Sequence, residues 1–157
     1  MLSAYLLLGK NMLKNIDPLL SGELLNVLRT MGHGDDIVLV DRNFPAASMA
    51  AGKPVIRLDG VNVIQAAKAI LSVLPLDTFV DQPVTRMQVV GEDESVMPEV
   101  QQEFAVELKA ADSDNAEMGS LERFAFYEAA KQAYAFVVTG EGRGYGCFLL
   151  KKGVIFS

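Results

Sequence analysis

Apolar positions along the chain follow two rhythms, a spacing near 3.6 residues and short continuous runs, and the two alternate. Leu24, Leu25, Leu28 and Met31 share a helical face, Ser21 can cap its start, and Gly32 stands where a left-handed C-terminal cap is wanted. The spacing predicts a first helix that ends at the residue before His33. An unbroken apolar run at 37–40, bounded by Asp36 and Asp41, predicts a strand buried on both faces, with Asp41 at its carboxyl end. A strand follows at 55–58, then a helix at 61–74 on which Val63, Ala67, Ile70 and Leu74 share a face, then a strand at 87–90. Pro98 opens a helix continued by Val100, Phe104 and Leu108, and the polar stretch 111–120 ends it in a loop. A helix at 124–134, a strand at 136–138, a glycine-rich turn, a strand at 148–150 and a turn at Lys152 and Gly153 into a last strand at 154–156 complete the chain. Strands alternating with helices indicate an α/β layered fold with a largely parallel sheet. No internal repeat or low-complexity segment interrupts it.

Composition narrows the class. With 157 residues the chain suits a single domain with a sizeable core. Half the residues are hydrophobic and the mean hydropathy is +0.23, apolar enough to suggest surface buried between subunits. A net charge of -6, with no cluster of Lys or Arg to outweigh the acids, argues against nucleic acid as a partner. One cysteine, Cys147, excludes an intramolecular disulfide and a thiolate zinc site, and it suits the cytoplasm. The apolar run at 4–8 is too short for a membrane span, which takes about 20 apolar residues. It also lacks a basic residue before it and a small-residue cleavage site after it, so it reads as an extension and not as a signal peptide.

Chemistry concentrates at a few positions. His33, the only histidine, lies between two glycines in MGHGDD at 31–36, where the imidazole has little steric cover and can exchange a proton near neutrality. The structural alternative is a turn histidine bonded to a carbonyl. Asp41 lies beyond the carboxyl end of a buried strand, where ligands of α/β sheets collect; the alternative is a turn cap helped by Asn43 and Pro45. Arg123 opens the helix RFAFYE at 123–128, and its guanidinium fork suits vicinal hydroxyls or an anion, unless it pairs with Glu122 or Glu128. Phe124 and Tyr127 read as inward-packing, and Tyr127 as core.

The segment GEGRGYG at 140–146 has the glycine content of a phosphate loop, but a strand follows it where a dinucleotide fingerprint needs a helix. A turn presenting Tyr145 fits better, with a plain strand connection as the alternative. Cys147, beside an apolar strand, reads as an inert thiol. A metal site would have one histidine and carboxylates alone, and no G-x-S-x-G elbow is present to make His33 part of a serine triad.

From Met12 onward these residues resemble the L-fucose mutarotase branch of the L-fucose mutarotase and D-ribose pyranase family. The resemblance runs through MLKNIDPL at 12–19, MGHGD at 31–35, Asp41 with NFP at 43–45, RFAFYE at 123–128 and LLKKGV at 149–154. It implies a single three-layer α/β/α domain at 12–157 preceded by an extension at 1–11. It also implies anomer interconversion of a free, fucose-like monosaccharide without a cofactor, and the cysteine usage, residue content and short apolar run add the expectation of a cytoplasmic protein with no metal site and no membrane partner. A ring-shaped homo-oligomer is implied, a decamer being the candidate size, with sites at subunit boundaries. His33 matches the proton-transfer histidine, and Asp41, Arg123, Tyr145, Gly146 and Cys147 match sugar-binding positions. The pyranase branch is less similar: its histidine is typically followed by Thr-Asp, and it lacks the RFAFYE block. One departure from the pattern is Cys147, where the family commonly has asparagine. The remaining alternatives are pyranose–furanose interconversion of ribose and a non-catalytic sugar-binding partner of an uptake system.

Overall fold

The computed structural model describes residues 11–115 and 117–157, so the expected extension falls almost wholly outside the described residues. Helix α1 (Gly22–Thr30) starts at Ser21, whose Oγ accepts from the Leu24 amide at 3.2 Å, and buries Leu24, Val27 and Leu28. Strand β1 (Asp36–Val40) follows, then the short α2 (Ala46–Ala50), β2 (Val55–Leu58) and α3 (Val63–Leu71). A reciprocal pair caps α3: Asn62 Oδ1 accepts from the Gln65 amide at 2.8 Å, and Gln65 Oε1 from the Asn62 amide at 3.0 Å. Then come β3 (Val84–Met87), α4 (Glu99–Ala111), β4 (Gly119–Leu121), α5 (Arg123–Lys131), β5 (Ala135–Thr139) and β6 (Phe148–Lys151).

The six strands form one sheet in the order β2-β5-β1-β6-β3-β4. β1, β2 and β5 pair in parallel, as do β3 and β4; β6 runs antiparallel to both β1 and β3. Five strands therefore point one way, and β6 alone reverses. Successive side chains of a strand point to opposite faces, and each face has its own core. Ile37, Leu39, Val137 and Phe148 pack with α1, α3 and α4, whereas Val38, Val40, Phe136 and Leu149 pack with α2 and α5. This is the expected three-layer arrangement. In the first core Phe104 of α4 stacks on Phe148 of β6 with ring centroids 3.7 Å apart and both rings fully buried.

Four expectations change. Gly32 is not a left-handed cap: α1 ends on Met31 in an extended conformation, the Gly32 amide donates to Asp35 Oδ2 at 2.8 Å, and Gly34 takes the positive φ of +85°. The strand expected at 87–90 lies at Val84–Met87, because the buried Arg86 sits within it and breaks the apolar run that marked the neighbouring residues. The loop expected at 111–120 contains a 3₁₀ turn (Ser113–Asn115) and opens β4, an edge strand too short and polar for periodicity to signal. The strand expected at 154–156 is absent, and Ile155 and Phe156 stand exposed.

Removing the stacked ring should leave a cavity between α4 and β6. Phe104→Ala is expected to lower unfolding free energy by about 3–5 kcal/mol. Val106→Ala, on the exposed face of the same helix, should change it by less than about 0.5 kcal/mol. Urea denaturation of both variants checks the contrast.

Candidate active site

Chemistry-bearing side chains cap the two ends of β1. At its amino end, Gly34 bends the chain and its amide donates to the Lys152 carbonyl at 2.8 Å, while Lys152 Nζ donates to the Met31 carbonyl at 2.6 Å. This frame turns the half-exposed His33 toward Asp77, with Nε2 to Oδ1 at 2.9 Å. Asp77 is buried, and its Oδ1 also accepts from the Phe79 amide at 3.0 Å. That amide first, and His33 after it, hold the Asp77 carboxyl below its usual range, so it is an anion at neutral pH. A carboxylate only accepts, so Nε2 carries the proton, and among the described residues no hydrogen-bond partner lies on Nδ1. The ring of Phe79 lies 5.0 Å from the imidazole, and Phe156 lies 6.4 Å beyond Phe79. His33 is therefore bonded to a buried carboxylate and not to a turn carbonyl.

At the carboxyl end, β5 and β6 flank β1, and the glycine-rich turn joining them crosses over the end of β1. The Arg42 amide donates to the Glu141 carbonyl at 3.0 Å, tying the two segments together. Beneath the turn, Asp41 is buried; its Oδ1 accepts from the Asn43 amide at 3.0 Å and its Oδ2 lies 3.4 Å from Cys147 Sγ. Burial raises the Asp41 carboxyl above its usual range, against the lowering effect of those contacts. Burial pushes the Cys147 thiol well up, with the nearby carboxylate adding to it, so the thiol stays neutral and inert.

A concavity of about 220 Å³ opens here, lined by Asp41, Phe44, Arg123, Tyr127, Tyr145 and Cys147 among others. Arg123 makes no ion pair with Glu122 or Glu128. Glu122 instead caps its own helix by accepting from the amides of Phe124 and Ala125, and Glu128 pairs with Lys131. Arg123 Nε donates to the Tyr127 hydroxyl at 3.0 Å, and the guanidinium lies over the Phe124 and Tyr127 rings.

The structure thus gathers Asp41, Arg123, Tyr145 and Cys147 into one concavity. Gly146 is buried beside them but faces the other core, where an added Cβ would come within 3.3 Å of Val100. His33 is not in this group. The five residues of β1 separate the two ends by roughly 15 Å at about 3.3 Å per residue. Two residues escaped sequence reasoning. Tyr127, read as core, does pack against Phe44 at 5.5 Å, yet its hydroxyl meets Arg123 in the concavity. Asp77 carried no signal beyond an aspartate after an apolar pair. Phe124, expected to pack inward, is exposed. Among the described residues, no group of three or more His, Cys, Asp or Glu side chains is placed to hold a metal, and no helix is long and apolar enough to cross a membrane.

A sequence profile of the RbsD / FucU transport protein family matches residues 14–155. The chain belongs to this family. Among RbsD / FucU proteins similar to it, the fucose mutarotase of Homo sapiens is 45% identical over 146 residues, 91% of this chain and 94% of that protein. The L-fucose mutarotase of Haemophilus influenzae (strain 86-028NP) is 46% identical over 143 residues, 91% of this chain and 97% of that protein. The crystal structure of the fucose mutarotase from Streptococcus pneumoniae in complex with L-fucose matches with a TM-score of 0.82 at 40% identity, covering 92% of this chain and 100% of that one.

The raised Asp41 carboxyl has a consequence for stability. Between the ordinary carboxylate value and the folded one, the folded state holds this proton more tightly than the unfolded chain, so Asp41 makes the fold less stable as pH rises through that window. The penalty is absent below the usual value and reaches its full size once pH has passed the folded one. Asp41→Asn should therefore be more stable than the parent at pH 7, with the gap closing toward pH 3, as urea unfolding across that range will show.

Proposed function

We propose that this protein is a sugar mutarotase that interconverts the α and β anomers of L-fucose, or of a closely related free monosaccharide, by acid and base catalysis. The observation that carries the proposal is the His33–Asp77 pair: a buried anion fixes the tautomer and aim of an accessible imidazole, an arrangement that plain sugar binding does not need. Similarity over nearly the whole chain to fucose mutarotases, one of them crystallised with L-fucose, supports the substrate class.

Anomer exchange opens and recloses a ring. A base takes the proton of the C1 hydroxyl while an acid protonates the ring oxygen; the C1–O5 bond breaks, the aldehyde rotates, and closure on the other face reverses both transfers. No electron leaves the sugar, and the protons balance. In this reading His33 moves one proton through its free nitrogen. Asp41 and Arg123 bind hydroxyls, while Tyr145 packs or bonds at the ring, with Gly146 and Cys147 completing its turn. The second proton-transfer group is Asp41, whose carboxyl burial raises above its usual range, or one of the two tyrosine hydroxyls in the concavity.

Because His33 and the concavity lie at opposite ends of one strand, a complete site takes the histidine end of one copy and the concavity of another. Both ends present exposed aromatic and apolar side chains to a neighbour, Phe79 and Phe156 at one and Phe124 and Val90 at the other. Such a head-to-tail contact closes into a ring when the rotation allows, and a decamer built of such rings is the proposed assembly. A cytoplasmic location accords with the single, free and buried Cys147.

Saturation-transfer NMR between the anomeric protons of L-fucose tests the chemistry, with D-ribose and D-galactose alongside. His33→Ala should slow exchange by about 10²- to 10⁴-fold. Full exchange in a folded His33→Ala protein would overturn the assignment. Faster turnover of ribose than fucose would favour pyranose–furanose interconversion, and sugar binding without any acceleration would mark a binding partner. Shared sites make a further expectation: mixing His33→Ala with Asp41→Asn protein, each inactive alone, and reassembling them should restore about a quarter of the sites. No recovery would place both residues in one subunit's site.

A further inference from the structure

Tyr145 adopts φ +63°, a left-handed conformation that L side chains rarely take, at the crest of the turn over Asp41. Two contacts hold it there. Its hydroxyl accepts from the Val90 amide at 3.2 Å, and its carbonyl accepts from Gln101 Nε2 at 3.0 Å. Gln101 lies on the core-facing side of α4 beside Val100 and Phe104, and it is fully buried.

Every bonding group of the Gln101 amide is committed. Nε2 also donates to the Met87 carbonyl at 2.7 Å, which uses its second hydrogen, and Oε1 accepts from Arg86 Nη1 at 3.1 Å. Arg86 is itself buried and donates onward to the carbonyls of Val96 and Glu94. One buried polar unit therefore joins the end of β3, the segment 88–98 and the turn 140–147. The segment 88–98 carries Val90, so the unit fixes both the backbone and the hydroxyl of Tyr145. Neither Gln101 nor Arg86 lines the concavity.

We propose that Gln101, backed by Arg86, is a positioning residue for Tyr145, setting where that ring and hydroxyl stand over the sugar in the concavity. The proposal rests on the mutarotase reading for its activity readout. Gln101 acts by placing a left-handed residue and its contact loop together, so its loss leaves the concavity present and Tyr145 misplaced within it.

Two variants and one background separate positioning from simple support of the fold. Gln101→Met keeps the volume and removes all three hydrogen bonds. Gln101→Glu keeps the acceptor for Arg86 and, as a carboxylate, offers no donor to the two carbonyls. Each is made alone and with Tyr145→Ala, and each is followed by fucose anomer exchange and by urea unfolding. Alone, either variant should lower kcat/KM by about 10- to 100-fold, as misplacement by an ångström does. Added to Tyr145→Ala, either should lower it by less than about twofold, because no ring remains to place. Loss of stability should be the same in both backgrounds.

Equal activity losses with and without Tyr145, or no loss in either, would overturn the proposal; Gln101→Glu carries the test if Gln101→Met fails to fold. Should the parent protein not accelerate exchange, the mutarotase reading fails and the positioning is read directly. The Tyr145 ring signals and the Val90 amide signal in the NMR spectrum should then shift in Gln101→Glu, and unshifted signals would overturn the proposal.

Discussion

Complete burial of the four apolar residues of β1 governs the rest of the molecule. Ile37 and Leu39 face one core, Val38 and Val40 the other, and all four are fully removed from solvent. A polar group cannot sit along such a strand without a partner. Chemistry is consequently displaced to its two ends, each of which is closed by chain from elsewhere in the fold. At the amino end the closing segments are the His33 turn, Lys152 and the Leu76–Asp77 backbone, held by the bridge of Leu76 to Lys152 and by the Asp77 amide on the Lys151 carbonyl at 3.0 Å. At the carboxyl end it is the turn that joins the two flanking strands. The reversal of β6 is what makes both closures possible, since an antiparallel neighbour starts at the Asp41 end and finishes at the His33 end.

The two ends treat their buried carboxylates oppositely. Asp77 receives a backbone amide and a histidine, so folding favours its anion. It stands as a fixed negative charge that orients the His33 imidazole. Asp41 is desolvated more than it is compensated, so folding disfavours its anion. A carboxyl in that condition exchanges protons closer to neutrality, which suits a group touching hydroxyls that gain and lose protons. A third buried carboxylate, Glu141, is lowered chiefly by its bonds to Arg143, whose guanidinium also meets Glu103 at 2.8 Å. That pair belongs to the frame of the turn, as Gln101 does, and leaves the charge in the concavity to Asp41 and Arg123.

Most of the fold was legible because its elements obey strong periodicity. The run at 37–40, the strand at 55–58 and the helix beginning at Pro98 need only their own residues to be recognised. The strand around Arg86 was misplaced for a physical reason: its burial depends on Gln101, 15 residues away, and on carbonyls in a loop. Local pattern has no access to such a partner. The same holds for the candidate site. His33, Asp41, Arg123 and Tyr145 were visible through glycine framing, strand ends and motif resemblance, whereas Asp77 gains its role through a contact across 44 residues of chain. Tyr127 was hidden differently, since one side chain serves as core through its ring and as site through its hydroxyl.

Cys147 lines the concavity at the carboxyl end, where the resemblance to the mutarotase branch leads one to expect asparagine. An asparagine at this position would bring both a donor and an acceptor to the concavity, whereas the thiol brings one weak donor, and its sulfur already lies against Asp41. In the proposed site a sugar hydroxyl above Cys147 would therefore meet a polarizable apolar surface, and its polar recognition would fall to Asp41, Arg123 and Tyr145. Because burial keeps the thiol neutral, Cys147 adds no second negative charge beside Asp41. In the mutarotase reading, the thiol would leave the proton balance of the site unchanged and relax its demand on one hydroxyl. The expected consequence is broader tolerance for sugars that differ at that carbon, with the acid–base chemistry at the ring left intact.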